Sequence, residues 1–335
     1  MNSSTDPEVP SSESSLTLTA RSPEDLLALA PVVLGFFPAE SVVMLTFGAA
    51  DAFHARVDLP DEVAEVGEVV DLLVHPARRH GVERVVLLIY SSDRVLAQAL
   101  WQGLDDEFAA AGIGVIEALR VEERRWYGLA GVDPHREGNG VPFDISTHPF
   151  LVRAVVAGRV THDSRTALAA TLSPDDAAVK RMTRLILAQP HPTDLLGEGT
   201  WVEQTIRSDL IGGRVPSDAT LARVLLALDD VRLRDAAWSA VSRDHSRAAV
   251  AWWTHALTRC PLAWSAAPAA LLAWSAWLNG NGALAWCALD RCHAARPGYG
   301  LAVIVTELLD QACPPSLWDG ALDWRSALGE APRAG

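Results

Sequence analysis

Apolar and polar positions follow two different rhythms along this chain, and the rhythm changes near its middle. The first part carries short, nearly unbroken apolar runs of strand length: SVVMLTF at 41–47, RVVLLIY at 84–90 and GVIEALRV at 114–121. The alternating FHARVDL at 53–59 follows the first run across a turn at 48–51, which predicts a hairpin. RVVLLIY has no polar face, the pattern of a strand covered on both sides in a parallel sheet. Between these runs the period lengthens. Val66, Val69, Val70 and Leu73 fall on one face of a helix over 62–79, and a second helix fits 94–111, with Gly81 and Gly112 ending the two. Helix, strand, helix and strand joined by short glycine turns is βαβ grammar. Upstream, Ser22-Pro23-Glu24-Asp25 offers a capping hydroxyl, a first-turn proline and acids at the positive end of the dipole. A helix is expected from there to about residue 34, with a kink or early end at Pro31. SLTLTA at 15–20 reads as a weak edge strand and RRWYGL at 124–129 as one more strand.

From residue 148 onward only helical spacing is found, over 150–157, 163–171, 174–187, 201–210, 218–228, 231–241, 247–257 and 301–311. Ser173 opens the third of these in a Ser-x-x-acid cap. The centre of this half is 269–297, two apolar helices reversed by Asn279-Gly280-Asn281-Gly282, residues that accept a positive φ. Ala273, Gly280, Ala285, Leu289, Cys292 and Pro297 sit at the spacings of a tetratricopeptide unit; an alanine-rich hairpin of another kind gives the same letters, and one unit does not make an array. Ten of the twelve tryptophans lie beyond residue 200, so this half is where large apolar volume must be packed.

The predicted fold class is therefore α/β, with a mixed sheet in a three-layer or open sandwich, followed by an all-α helical domain that is solenoid- or bundle-like. The expected divisions are a disordered tail at 1–15, the α/β domain at 16–130, a glycine- and proline-rich linker loop at 131–147, the tryptophan-rich helical domain at 148–325 and a tail at 326–335. A length of 335 residues agrees with two domains.

Charge narrows the partners. A net charge of −14 repels a phosphate backbone, and the densest basic word, RVEERR at 120–125, is interleaved with glutamates, so nucleic acid is excluded as a partner. No charge occurs from Cys260 to Leu289, a length that could span a bilayer, but Pro268 and the Asn-Gly turn break it. We expect a buried hairpin and no membrane partner. Four cysteines, all late, and an acidic start without an apolar leader point to the cytoplasm.

LLALAPVVLGFFPAESVVML at 26–45, RVDLP at 56–60, VRLRDAAW at 231–238 and LLAWSAWLNGNGALAWCALDRCHAARPGYGLA at 271–302 resemble a family widespread in actinobacteria, domain of unknown function 4192. The resemblance runs from about residue 20 to 320 and implies no activity. Relatives often place cysteines after an Arg-Trp-Trp/Tyr word. Here Arg125-Trp126-Tyr127 is followed by Gly131, Asp133 and His135 instead, so the resemblance carries no metal or redox role to this loop.

Candidate chemistry is sparse. Ser91, Ser92 and Asp93 follow the 84–90 strand, where parallel sheets present ligand sites, although Ser92 or Asp93 can equally cap the next helix. Arg125 could join them as an anion contact. Asp133, His135 and Glu137 could share a metal or act as acid and base, or form a solvated loop. Trp126 and Tyr127 could wall a pocket between the halves or simply pack there. Cys287, Cys292 and His293 are spaced around a helix in a way that suits buried thiols better than zinc, so no metal is assigned. No phosphate-loop, nucleophile-elbow or His-Glu-x-x-His word occurs, and no cofactor is indicated. The reading leans away from an enzyme. It expects a protein-interaction or scaffold-like role through exposed tryptophans of the helical domain. The alternative is a small-ligand binder or enzyme with its site at the carboxyl edge of the sheet or between the domains. Oligomeric state stays open.

Overall fold

The computed structural model describes residues 18–49, 53–130, 138–318 and 322–326. Helix α1 (Pro23–Leu34) opens with a full capping box: Ser22 accepts from the Asp25 N–H and Asp25 accepts from the Ser22 N–H. It runs through Pro31 without ending there, because a proline so near the last turn removes only one ladder bond. Gly35 then closes it, its N–H donating to the Pro31 carbonyl at 2.9 Å. Strands β1 (Ser41–Phe47) and β2 (His54–Asp58) form the expected antiparallel hairpin. Then follow α2 (Val66–Arg79), β3 (Arg84–Tyr90), α3 (Arg94–Ala110) and β4 (Gly114–Glu122). β5 (Arg125–Gly128) returns beside β4, and β6 (Val141–Pro142) pairs with it.

The sheet order is β2-β1-β3-β4-β5-β6, with β3 and β4 parallel and every other neighbouring pair antiparallel. β3 lies inside it and its central residues are fully buried, as its apolar run requires. One face presents Val42, Met44, Val85, Leu87 and Ile89 to α2 and α3. The other presents Val43, Leu45, Val86, Leu88, Leu119, Val121 and Trp126 to α1 and to the helical half. Helices therefore cover both faces, giving three layers. Two details differ from expectation. Leu18–Ala20 is not a strand, the rest of the 15–20 word lying outside the described residues. The stretch expected to be linker contributes β6, whose pairing depends on Gly140: its φ of 65° and its contact with the Tyr127 ring leave no room for a Cβ.

The carboxyl-terminal half contains α4 (Pro149–Val156), α5 (Arg165–Ala170), α6 (Asp176–Leu187), α7 (Leu195–Ile211), α8 (Asp218–Ala227), α9 (Val231–Ser239), α10 (Ser246–Arg259), α11 (Ala266–Leu278), α12 (Gly282–Ala295) and α13 (Gly300–Asp310). The cap of α6 is Asp175, not Ser173, because its carboxylate reaches the N–H groups of Ala177 and Ala178. α7 begins earlier than its apolar pattern suggests, since Asp194 caps it six residues before the first tryptophan-bearing turn. Every residue of α11 is buried. A helix apolar all round must be central, and α11 packs against α10, α12 and α13. The Gly280 turn has φ 70°, and Asn281 caps α12 through the Leu284 N–H at 3.0 Å. Among the described residues no helix is long and apolar enough to cross a membrane.

The tryptophans fill this half rather than decorate it. None of the twelve is exposed. Trp274 touches Trp238, Trp277 and Trp318 with ring centroids 4.8–5.0 Å apart, the arrangement that aromatic quadrupoles favour. Trp324 is buried over Gly199 of α7, where a Cβ would collide with its ring, and its indole N–H donates to Glu203 at 3.0 Å. Of the ten in this half, five are buried, and Trp201, Trp238, Trp264, Trp286 and Trp318 are half-buried.

Candidate functional site

A cavity of about 540 Å³ opens at the carboxyl ends of β3 and β4. That size suits a small organic ligand. Its floor is built where three strands finish or begin together. β1 is antiparallel to β3 and β4 is parallel to it, so Ser41, Tyr90 and Val121 lie side by side. The residues just beyond them, Glu40, Ser91 and Glu122, form the edge. Leu27 and Pro31 of α1 cover the inner side, and the residue that could have broken the helix instead supplies a flat apolar wall. Phe37, Pro38 and Ala39 enclose one end and Phe143 to Ser146 the other.

Each wall is tied down by backbone bonds. The Phe37 N–H donates to the His162 carbonyl at 3.0 Å and the His162 N–H to the Gly35 carbonyl at 2.8 Å. Arg56 donates to the Ala39 carbonyl at 3.3 Å, and the Leu59 N–H reaches the Glu40 carbonyl at 3.1 Å. On the far side the Phe143 N–H donates to the Arg124 carbonyl at 3.0 Å. His148 accepts the Phe150 N–H at Nδ1, which places its proton on Nε2, 3.1 Å from Asp25 of α1. Burial acts to raise the Asp25 carboxyl. Hydrogen bonds from Arg21, His148 and Ser22 outweigh it and hold the group below the usual carboxylate range. The 143–146 wall is thereby fastened to the start of the helix that roofs the cavity.

Beneath the edge lies a buried cation that sequence reading passed over. Arg120 donates to the Ser91 carbonyl at 3.1 Å and to Glu122 at 2.8 Å, with its guanidinium 4.0 Å above the Tyr127 ring. It fixes where β3 stops and where Glu122 points. Its only signal in the sequence was an arginine inside an otherwise apolar strand.

Tyr90, half-buried at the end of β3, brings a phenol to the cavity lining. Burial pushes its phenol well above the ordinary value, so it stays protonated, and its hydroxyl has no hydrogen-bond partner among the described residues. Two rim residues adopt left-handed backbone, Glu40 at φ 40° and Glu123 at φ 52°. Non-glycine residues there are strained by about 1 kcal/mol or more and gather at functional sites.

The candidates named from sequence divide. Ser91 and Ser92 line the cavity. Asp93 does not: its carboxylate accepts the Val95 and Leu96 N–H groups and caps α3. With those donors occupied by a carboxylate, this helix start offers nothing to an anion. Arg125 is turned away, donating to the Asn139 and Gly140 carbonyls at 2.7 and 3.0 Å. Trp126 faces the core and donates to Glu24 at 3.3 Å, and Tyr127 lies on the opposite face under Arg120. Asp133, His135 and Glu137 lie outside the described residues. Among the described residues no group of histidines, cysteines and acids is arranged to hold a metal ion. Cys287 and Cys292 are buried, and burial raises both thiols, Cys292 to about 12, which leaves them protonated and inert. The wall residues Phe37 to Glu40 and Phe143 to Ser146 were not chosen from sequence. The first group sits in the FFPAE word, where a turn with two aromatics and a proline is the available cue.

Comparison with curated proteins gives no match, and comparison with solved structures gives none. One family model does match, Domain of unknown function (DUF4192), over residues 23–316, and it takes in every wall of the cavity. The chain belongs to that family.

Proposed function

We propose that the protein binds a small organic molecule with an apolar body in the cavity at the carboxyl edge of its sheet. The observation that carries this reading is a cavity of about 540 Å³ whose apolar floor contains a neutral phenol with no hydrogen-bond partner among the described residues. A preformed apolar hollow with a few polar groups is what small-molecule sites have in common. It lies at the carboxyl ends of the parallel strands β3 and β4, the edge at which open α/β sheets hold ligands. The protein-partner reading of the helical half has less support, because five of its ten tryptophans are buried and the other five only partly open to solvent. Four free thiols, three of them buried, suit work in the reducing cytosol.

The test is thermal denaturation with neutral aromatic and aliphatic alcohols against the protein and Val121→Trp. A ligand confined to the folded state adds about 2.7 kcal/mol at a hundred times its dissociation constant. Stabilisation that disappears in Val121→Trp supports the reading. Equal stabilisation of both proteins, or none of either, sinks it.

A further inference from the structure

The charges on the rim are unequal in a way that selects the ligand. Four carboxylates line the cavity, Glu40, Glu122, Glu123 and Asp144, against one lining base, Arg124. Two of the four are already answered. Glu122 is paired with buried Arg120 at 2.8 Å. Asp144 accepts the Ser146 N–H and feels the nearby charge of Arg124, which together keep its carboxyl below the ordinary range. Glu40 and Glu123 make no ion pair and no side-chain hydrogen bond among the described residues. They stand on either side of the end of β3, at the start of β1 and just past β4. With strands about 4.8 Å apart, their backbones are about 10 Å from one another across that end. Two flexible carboxylate arms can converge on one charge held between them.

Resting on the cavity reading above, we propose that the ligand is an organic cation, an amine on an apolar body, its ammonium held by Glu40 and Glu123 at the mouth and its body lying on Tyr90 and Val121. An apolar anion is the wrong partner on two counts. The helix start that would receive it is occupied by Asp93, and the rim repels it. The protein's net charge of −14 adds a long-range field that draws cations in. Among the described residues neither glutamate has an ion pair for the ammonium to displace. The Tyr90 hydroxyl remains free to accept or donate one hydrogen bond to a polar substituent on the body.

Three matched probes decide it by isothermal titration of the full chain: 2-phenylethylamine, 2-phenylethanol and 3-phenylpropionate. The amine should bind at least about tenfold more tightly than the alcohol, as charge-assisted contacts near a low-dielectric wall do, and the carboxylate not at all. Salt should weaken the amine alone. Glu40→Gln and Glu123→Gln should each lower amine affinity severalfold and leave the alcohol unchanged, with the unliganded melting temperature reporting that both variants fold. Equal affinity for all three probes, tighter binding of the carboxylate, or amine affinity indifferent to both substitutions overturns the cation and leaves the cavity as a site for neutral molecules. Binding of none of the three overturns the cavity reading together with it.

Discussion

The hairpin of α11 and α12 and the carboxyl edge of the sheet handle apolar surface in opposite ways. In the hairpin, alanines at 269, 270, 273, 276, 285 and 288 let the backbones approach, and Trp274 and Trp277 fill what remains, so that both are nearly fully covered. At the edge, Leu27, Pro31, Val121 and Phe143 pack on one side and border a hollow on the other. The hairpin could close because both of its elements are helices free to slide until small and large residues mesh. The edge could not, because strand spacing fixes β1, β3 and β4 and the proline-bearing α1 bridges over their ends. Closure in one place and a standing gap in the other, within one continuous buried cluster, marks the gap as built rather than left over.

That contrast can be broken at several points. The largest effect should come from Trp274→Ala, which removes the ring touching Trp238, Trp277 and Trp318; a loss of about 3–5 kcal/mol is expected in denaturant unfolding. A small loss would mean the cluster is loosely packed. Next comes a matched pair of enlargements. Ala285→Leu, in the fully buried hairpin, should cost about 1–3 kcal/mol, whereas Val121→Leu, facing the cavity, should cost less than about 1 kcal/mol. Equal costs would erase the distinction between the two regions.

Acidity gives a third handle. Burial lowers His54 to about 4, and its Nδ1 accepts the Thr46 N–H in the β1–β2 hairpin. The unfolded imidazole takes up its proton near pH 6.5 and the folded one only near pH 4, so the unfolded state binds more protons between those values. Stability should therefore be whole above about pH 6.5 and fall by on the order of 1–3 kcal/mol as the pH drops toward 4. His54→Asn keeps an acceptor in place and should flatten that slope in urea titrations at several pH values. The smallest effect is expected of Tyr90→Phe. Its hydroxyl has no partner to lose, so stability should change by less than about 1 kcal/mol, while binding of ligands that use the phenol should weaken.

Much of the fold was legible because its cues are local. Ser22-Pro23-Glu24-Asp25 names a cap whose atoms are all within four residues, and RVVLLIY can be nothing but a covered strand. Asn279 to Gly282 reverses the chain by backbone freedom alone. The site was legible only where it coincides with such a cue: Ser91 and Ser92 were found because a strand ends there. Asp93 was read both ways, and the cap prevailed because two backbone N–H groups lie within its reach. Trp126 and Tyr127 were paired as one wall by adjacency, yet successive side chains of a strand point to opposite faces, so they could not share it. Glu40 and Phe143 line the cavity, and Arg120 lies beneath its edge, through strand register and a loop returning from β6, relations between positions roughly 20 to 100 residues apart that no window along the chain contains. Which indoles stay partly open, those of Trp201, Trp238, Trp264, Trp286 and Trp318, was hidden for a similar reason: abundance says how much indole there is, not which way it points.

The reach of Arg120 through the sheet has a mechanical meaning. One guanidinium holds the last carbonyl of β3, a rim carboxylate and the ring of Tyr127, and that ring in turn rests on Gly140 at the foot of the 141–146 wall. The hollow's floor and its far wall are thus levers on a single pivot. Loss of the Arg120 guanidinium would therefore loosen the Ser91 edge on one face of the sheet and the Tyr127–Gly140 packing on the other together.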